Sequence, residues 1–237
     1  MNHSPAEGPA GAGSWDAVLF DLDGTLADTV ELILRSYRYT MEEHLGTAPP
    51  DSRWLATIGR PLRDSLQAFA RTPDEAAAMM ETYVGFQREH HDGLVAPYAG
   101  VVGMLDTLRR RGVAMGVVTS KRREMALRTL RRCGVLEHFQ VVVTADEVVY
   151  GKPHPEPVLR ALDLLGLPGP ANSDRGPGPR VVFVGDSPFD IRAGRGAGVS
   201  TAAALWGPFS RDALEAELPH HWLERPEQVL GLPGGWA

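Results

Sequence analysis

The sequence predicts an α/β fold with a central parallel sheet, because short apolar runs alternate along the chain with segments of helical character. The runs lack the apolar and polar alternation of a half-exposed strand, and they fall at 17–20, 113–119, 140–144 and 180–186. Such runs are typical of strands buried on both faces. Helical segments separate the later runs, near 100–111, 122–133, 155–166 and 187–197. This order of elements favours parallel strands joined by helices.

Residues 28–96 interrupt that alternation, because they contain no β-branched apolar run. They read as three helices, near 28–45, 61–70 and 73–92, with prolines in the gaps between them. We therefore predict an all-helical domain at 28–96, inserted into a core made of 15–27 and 97–237. Residues 1–14 are predicted to be a flexible tail, and the Pro/Gly-rich stretch 167–179 an exposed loop.

Composition excludes several classes of protein. The 237 residues include 24 Lys and Arg against 30 Asp and Glu, for a formal net charge of −6, and 43% are hydrophobic. The hydrophobic content is enough for a real core, and the acidic balance argues against a nucleic-acid partner. Only two of the 24 cations are lysines, Lys121 and Lys152.

Cysteine content and the N-terminal sequence bear on the compartment. Cys133 is the one cysteine, so an intrachain disulfide is impossible and a cytoplasmic location is expected. The first residues have neither a basic start nor an apolar stretch like that of a signal peptide. No segment approaches the roughly 18 apolar residues of a membrane helix, so no membrane partner is expected.

Two aspartates follow the first apolar run and are separated by one residue. Asp21 and Asp23 would lie just past the carboxyl end of a parallel strand, where open α/β sheets place their active sites. If the backbone stays extended, both side chains point the same way. The alternative is a pair of turn or capping aspartates.

Other strand ends add groups that suit a phosphate and a metal ion. They supply a hydroxyl with free backbone N–H groups, one ammonium and two more carboxylates, on Thr119 and Ser120, on Lys152, and on Asp186 and Asp190. Hydroxyls and free backbone N–H groups before a helix suit phosphate oxygens. Clustered carboxylates repel one another unless a cation joins them, and oxygen ligands suit Mg²⁺. A lysine can neutralise a phosphoryl oxygen. The set predicts phosphoryl transfer.

Four strings in the sequence, DLDGTLADT, VVTSK, GKPHPEP and VGDSPFD, occur in the order of the four motifs of the haloacid dehalogenase superfamily. From about residue 15 onward the chain resembles this superfamily. It is most similar to the phosphoglycolate phosphatase and PpaX-type pyrophosphatase branch, through the strings KPHPEPVL and IGRPL and the glycine pattern at 196–199. The resemblance implies a Rossmann-like three-layer core, with the helical insert 28–96 as a cap.

The resemblance also implies a role for each motif residue. Asp21 would be the nucleophile that forms an aspartyl-phosphate. Asp23 would protonate the leaving oxygen and then accept a proton from the hydrolytic water. Thr119 and the backbone N–H of Ser120 would hold the phosphoryl oxygens, and Lys152 would balance the charge on them and on Asp21.

The implied cofactor is Mg²⁺. Asp21, Asp186 and the backbone carbonyl of Asp23 would ligate it, and Asp190 would either ligate it or orient its waters. Arg60 follows Gly59 in a string that resembles the cap loop reaching toward substrate, so it is a candidate for a second substrate contact. A surface arginine in an interhelix turn is an equally good interpretation.

We therefore expect a Mg²⁺-dependent phosphatase acting on a small phosphorylated metabolite, such as a sugar phosphate or phosphoglycolate. Three alternatives stay open at this point: a PpaX-type inorganic pyrophosphatase, a phosphosugar mutase of the β-phosphoglucomutase type, and a phospho-acceptor signalling domain. The absence of lysine from 28–96 speaks mildly against the mutase. Both a monomer and a homodimer are compatible with the sequence.

Overall fold

The computed structural model describes residues 15–169 and 178–233. The predicted tail at 1–14 lies outside these ranges, as does the middle of the predicted loop, 170–177. Within the described residues, six parallel strands form one sheet in the order β5-β4-β1-β6-β7-β8, and two short strands pair separately. The strands are β1 (Ala17–Phe20), β2 (Ala27–Asp28), β3 (Ala96–Pro97), β4 (Ala114–Val118), β5 (Val141–Val143), β6 (Val181–Gly185), β7 (Ser200–Ala204) and β8 (His221–Leu223).

The α-helices of the described residues fall into two sets, one inserted between β2 and β3 and one connecting or following the strands of the large sheet. They are α1 (Val30–Leu45), α2 (Asp51–Leu55), α3 (Leu62–Gln67), α4 (Pro73–Leu94), α5 (Val101–Arg110), α6 (Arg123–Arg132), α7 (Glu156–Leu164), α8 (Pro188–Gly196) and α9 (Arg211–Glu215). The parallel sheet confirms the predicted α/β class. The strands β7 and β8 and the short helices α2 and α9 were not predicted from the sequence.

The central strand β1 is buried on both faces, as its unbroken apolar run predicts. Val18 and Phe20 belong to one apolar cluster of the core, and Ala17 and Leu19 belong to another. Successive side chains of a strand point to opposite faces of the sheet. Four consecutive apolar residues are therefore needed to fill two cores at once, and the sheet is covered on both sides.

The helices α1 to α4 pack around an apolar cluster of their own, which includes Tyr37, Trp54, Leu66 and Met79. The rings of Tyr37 and Trp54 stack with their centroids 4.8 Å apart. The chain enters and leaves this helical unit through the antiparallel pair of β2 and β3. Separate packing and a two-stranded entrance are the features that support treating 28–96 as a domain, and the boundaries themselves stay a prediction.

The order of the strands determines where a site can form. β1 lies between β4 and β6, and the chain runs outward from β1 to β4 and β5 before it returns to β6 on the other side. Open parallel sheets bind ligands beyond the carboxyl ends of the strands, where the strand order reverses. The residues directly after β1, β4 and β6 therefore meet at one edge. Among the described residues, no helix is long and apolar enough to cross a membrane.

Candidate active site

Asp21 occupies the centre of this edge. It is the first residue after β1, its backbone N–H donates to the carbonyl of Val184 on the neighbouring strand at 2.9 Å, and it is only 3% exposed. Its Oδ1 accepts a hydrogen bond from Lys152 Nζ at 2.8 Å. The strand pairing thus carries the carboxylate into the protein interior, where a cation meets it.

Lys152 joins two of the predicted aspartates. Its ammonium donates to Asp21 Oδ1, to Asp190 Oδ1 at 2.6 Å and to the backbone carbonyl of Val118 at 3.2 Å. The side chain is 1% exposed. All three donors of the ammonium therefore have acceptors, as a charge buried this deeply requires.

Asp186 and Asp190 come from the end of β6 and the first turn of α8. Asp186 Oδ1 accepts a hydrogen bond from Thr25 Oγ1 at 2.7 Å. Asp190 Oδ2 accepts from both the backbone N–H and the hydroxyl of Ser187, at 3.0 and 2.6 Å. The Ser187 and Asp190 side chains thus form the capping box of α8. The helix start fixes the Asp190 carboxylate in front of Lys152.

Burial and crowding shift the titration of these groups. Burial above all, and the neighbouring Asp190 carboxylate next, raise the pKa of Asp21 to about 7, although Lys152 opposes the shift. Burial and the charges of Asp190 and Asp21 raise the pKa of Asp186 well above its ordinary value. Burial also works against the charge of Lys152, but the two carboxylates beside it hold its pKa above the ordinary value. The cluster holds more negative charge than one ammonium balances.

The same cluster fits a hard divalent cation. Asp21, Asp186 and Asp190 each offer a carboxylate oxygen, and these oxygens lie within 4.8 Å of one another. Asp186 Oδ2 is buried and has no hydrogen-bond partner among the described residues. Gly24, at φ +85°, leaves room for this oxygen, because a Cβ there would lie 2.5 Å from it. This oxygen is buried without a hydrogen-bond partner, and every possible metal ligand in the cluster is a carboxylate oxygen. Such a set of ligands suits Mg²⁺.

The side chain of Asp23 lies beside this cluster and belongs to a separate set of contacts. Its Oδ1 accepts hydrogen bonds from Thr29 Oγ1 at 2.7 Å and from Lys121 Nζ at 2.5 Å. The Asp23 side chain is 16% exposed and that of Lys121 8%. Among the described residues, the carboxylates close enough together to share a metal ion do not include that of Asp23.

Thr119 and Ser120 follow β4 and line the same cavity as Asp21, Asp23 and Lys152. Thr119 is 4% exposed, and its Oγ1 accepts a hydrogen bond from the backbone N–H of Lys121 at 3.1 Å. The Ser120 hydroxyl donates to the backbone carbonyl of Gly59 at 2.6 Å. The backbone N–H of Ser120 donates to no described residue, so it is available to a ligand oxygen.

The cavity has a volume of about 600 Å³ and lies between the sheet edge and the helices α2 to α4. Leu62, Met80 and Val84 supply partly exposed apolar side chains to its wall. Arg60 is exposed at the rim, with its guanidinium carbon 5.9 Å from the ring centroid of Phe189. It forms no ion pair with a described residue, and the predicted carboxylates are not among its partners.

Sequence reasoning left out four residues that organise the site. Thr25 and Thr29 hold Asp186 and Asp23, Ser187 holds Asp190, and Lys121 pairs with Asp23. All four lie inside the motif strings quoted above, and this position in the sequence is what could have identified them as site residues. The scarcity of lysine was a second signal for Lys121, because both lysines of the chain fall in these strings.

Comparison with known proteins gives consistent results. Residues 18–204 match the family model described as haloacid dehalogenase-like hydrolase. The pyrophosphatase PpaX of Bacillus pumilus is 37% identical over 219 residues, which cover 92% of this chain and 96% of that protein. The protein of the same name from Anoxybacillus flavithermus is 35% identical over 219 residues, with 92% and 97% covered.

Solved structures agree at the level of the fold. A predicted phosphoglycolate phosphatase from Haemophilus somnus has a TM-score of 0.80 at 21% identity, and the match covers 92% of this chain and 97% of that one. A hydrolase from Pseudomonas syringae has a TM-score of 0.79 at 22% identity, with the same coverage. At this identity the structures bear on architecture alone.

Proposed function

Because the chain belongs to the haloacid dehalogenase-like hydrolase family, we propose that it is a phosphatase that hydrolyses a small organic phosphomonoester through an aspartyl-phosphate. Membership confirms the resemblance carried by the four sequence strings and gives no support to a phospho-acceptor signalling domain. The observation that carries the proposal is the buried Asp21 carboxylate, held by Lys152 beside Asp186 and Asp190, with Asp23 two residues away. The nucleophile, the acid and the cation that this proposal requires would all come from one sheet edge.

In the first step, an Asp21 carboxylate oxygen attacks phosphorus while the bond from phosphorus to the leaving oxygen breaks. Asp23 gives a proton to the leaving oxygen, so the alcohol departs neutral and Asp23 becomes a carboxylate. The contacts of Asp21 support this assignment, because Lys152 fixes Oδ1 at 2.8 Å. Thr119 and Ser120 line the same cavity, so the Thr119 hydroxyl and the free backbone N–H of Ser120 would donate hydrogen bonds to the phosphoryl oxygens.

In the second step, the Asp23 carboxylate takes a proton from a water molecule, and the resulting hydroxide attacks phosphorus. The bond from phosphorus to Asp21 breaks, inorganic phosphate leaves, and the Asp21 carboxylate and the protonated Asp23 are regenerated. Asp23 thus acts first as acid and then as base. Its position two residues after Asp21, with a partly exposed side chain, supports a group that meets both the leaving alcohol and water.

We assign the acidic cluster to Mg²⁺. The unpartnered Asp186 Oδ2 and an Asp21 oxygen are the best placed side-chain ligands, and the Asp23 backbone carbonyl would complete the protein's share. Asp190 is better suited to holding Lys152 and orienting metal-bound water, because Ser187 already donates twice to its Oδ2. Bound Mg²⁺ would neutralise the carboxylates and stabilise negative charge on the phosphoryl group.

The cavity supports an organic leaving group. Its volume of about 600 Å³ lies in the range of pockets that take small organic molecules, and Leu62, Met80 and Val84 contribute apolar surface to it. The curated relatives favour a second candidate, inorganic pyrophosphate, because both relatives reported above, at 35–37% identity, are named pyrophosphatases. We place the monoester first because pyrophosphate has no apolar part for these side chains to contact.

The helical segment 28–96 is assigned as the cap that closes over the substrate. Its apolar cluster separate from the sheet and its contribution of Leu62, Met80 and Val84 to the cavity support this role. Arg60, exposed at the rim and without an ion pair, is the candidate for a second contact with an anionic substrate. A cytoplasmic location goes with a phosphorylated metabolite as substrate, and the single cysteine supports it.

The test is a panel of substrates assayed with Mg²⁺ and, in parallel, with a chelator. The panel contains 4-nitrophenyl phosphate, phosphoglycolate, several sugar phosphates, alkyl phosphates with longer apolar chains, and pyrophosphate. We expect phosphate release from the monoesters, higher kcat/KM for at least one organic phosphate than for pyrophosphate, and loss of activity on chelation or in Asp186→Asn. Higher kcat/KM for pyrophosphate would select the second candidate, and transfer without net phosphate release would select the mutase.

A further inference from the structure

The chain's second lysine contacts the second aspartate of the DLDGT string. Lys121 Nζ lies 2.5 Å from Asp23 Oδ1, and this ammonium forms no hydrogen bond or ion pair with Asp21, Asp186 or Asp190. The pair spans 98 positions in sequence and is largely buried, with side chains 8% and 16% exposed. At the same sheet edge, Lys152 donates hydrogen bonds to Asp21 and Asp190. The two ammonium groups therefore have different partners.

The contacts of Asp23 are concentrated on one of its two oxygens. Thr29 Oγ1 and Lys121 Nζ both donate to Oδ1, one from within the same motif string and the other from the turn after β4. No described residue donates to Oδ2. A carboxylate oxygen has two lone pairs in its plane, so two donors use the capacity of Oδ1. When Asp23 carries a proton, Oδ2 is therefore the oxygen that can bind it.

We propose that Lys121 is a positioning residue for the proton transfer by Asp23: it holds Oδ1 and so presents Oδ2 to the leaving oxygen. The inference rests on the proposed function, since it concerns the acid and base of that reaction. The proton moves from Oδ2 to the leaving oxygen while the bond to phosphorus breaks, and it returns to Oδ2 from water in the second step. Lys121 itself exchanges no proton and makes no bond to phosphorus.

The next two cations of the same segment show what an ordinary surface pair looks like here. Arg122 pairs with Asp146 and Arg123 with Glu147, and both arginine side chains are more than half exposed. Exposed pairs of this kind contribute little to stability. Lys121 differs from these arginines because its side chain is buried and because its partner, Asp23, is a predicted catalytic residue.

An ammonium suits this role better than a guanidinium. Lysine is a point charge that can share one carboxylate oxygen with the Thr29 hydroxyl. Arginine tends to bind both oxygens of a carboxylate through its planar fork. A fork on Asp23 would occupy Oδ2, the oxygen that must stay free. The chain uses arginine for 22 of its 24 cations, and yet lysine is found at this position.

The experiment compares leaving groups in Lys121→Met and Lys121→Arg. We measure kcat/KM for 4-nitrophenyl phosphate, whose leaving phenolate needs little protonation, and for the alkyl phosphate that the wild type hydrolyses best. Both variants should lose at least about tenfold more activity on the alkyl phosphate than on the aryl phosphate, as Asp23→Asn should to a greater extent. Arg123→Met is the matched control and should keep both rates.

Several results would overturn the proposal. Equal losses on the two substrates in Lys121→Met would assign the pair a structural role, and wild-type rates on both substrates in Lys121→Arg would do the same. Thermal unfolding of each variant identifies a folding defect; if Lys121→Met does not fold, Lys121→Arg, which keeps the charge, decides alone. An inactive wild type would instead contradict the proposed function, so the two failures are distinguishable.

Discussion

Each lysine of the chain lies against one of the two aspartates that follow β1. Lys152 is buried among Asp21, Asp190 and a backbone carbonyl, and Lys121 is paired with Asp23. An ammonium has three donors that it can direct to separate acceptors, whereas the guanidinium fork is planar and rigid. In a chain so rich in arginine, these two positions need the geometry of lysine.

We expect Lys152→Arg to lose most of its phosphatase activity although its charge is kept. The larger guanidinium cannot reach Asp21, Asp190 and the Val118 carbonyl from the space that a single ammonium fills, so Asp21 would be displaced. A loss of at least about a hundredfold in kcat is expected for a group that contacts the reacting carboxylate. Steady-state kinetics with Mg²⁺ measure it.

The control for this prediction is Arg160→Lys, a reverse exchange in an exposed pair with Asp163 on α7. It should leave kcat unchanged. Wild-type kcat in Lys152→Arg would mean that any cation serves Asp21, and the choice of lysine there would then carry no chemical meaning.

The sequence places residues that directly follow a strand better than residues that follow a turn. Asp21, Thr119 and Asp186 could be brought together because the carboxyl ends of parallel strands lie at one edge. The partners of Asp23 could not be found that way. Thr29 lies after the chain has turned through β2, and the direction of the Lys121 side chain depends on the turn before α6. Neither follows from a periodic pattern.

The turn between α2 and α3 is one of the elements through which the helical segment contacts the sheet edge. The Gly59 carbonyl accepts a hydrogen bond from Ser120 Oγ, and a Cβ on Gly59, at φ +97°, would lie 2.5 Å from Ser187 Oγ. A Cβ on Gly151 would lie 2.8 Å from the Pro61 ring. The turn thus contacts Ser120, the loop before Lys152, and Ser187 at the start of α8.

Ser120→Ala should weaken this contact without touching the backbone N–H that the proposed mechanism uses. Loss of one hydrogen bond of about 1 kcal/mol lowers the equilibrium constant for docking the turn on the sheet edge about fivefold. We expect kcat/KM to fall by up to about that factor. Ser52→Ala, at an exposed position on α2, is the control and should match the wild type. If Ser120→Ala also matches it, the hydroxyl does not hold the turn.

The elements that sequence reasoning missed are short or lack the usual composition. β7 is Ser200–Ala204, five buried residues of which three are alanine, a residue that is depleted in strands. Its burial between β6 and β8 makes it a strand. α2 and α9 have five residues each, too few to show a helical period. Tertiary packing decides such segments.

For the whole molecule, the chain assembles the site from distant parts. Lys152 meets Asp21 across 131 positions, and Thr25 meets Asp186 across 161. The parallel sheet makes these contacts possible, and its class was predictable because buried apolar runs alternate with helices. The residues that line the cavity were not predictable, because they depend on how α2 to α4 pack over the sheet edge.

The covalent intermediate on Asp21 is the central claim, and mass spectrometry of acid-quenched enzyme tests it most directly. During turnover of the best substrate with Mg²⁺, we expect the wild type to carry one phosphoryl group on the peptide that contains Asp21. Asp21→Asn should carry none and should retain less than about a hundredth of wild-type kcat while staying folded. A wild type that turns over without the adduct, together with an active Asp21→Asn, would contradict the account.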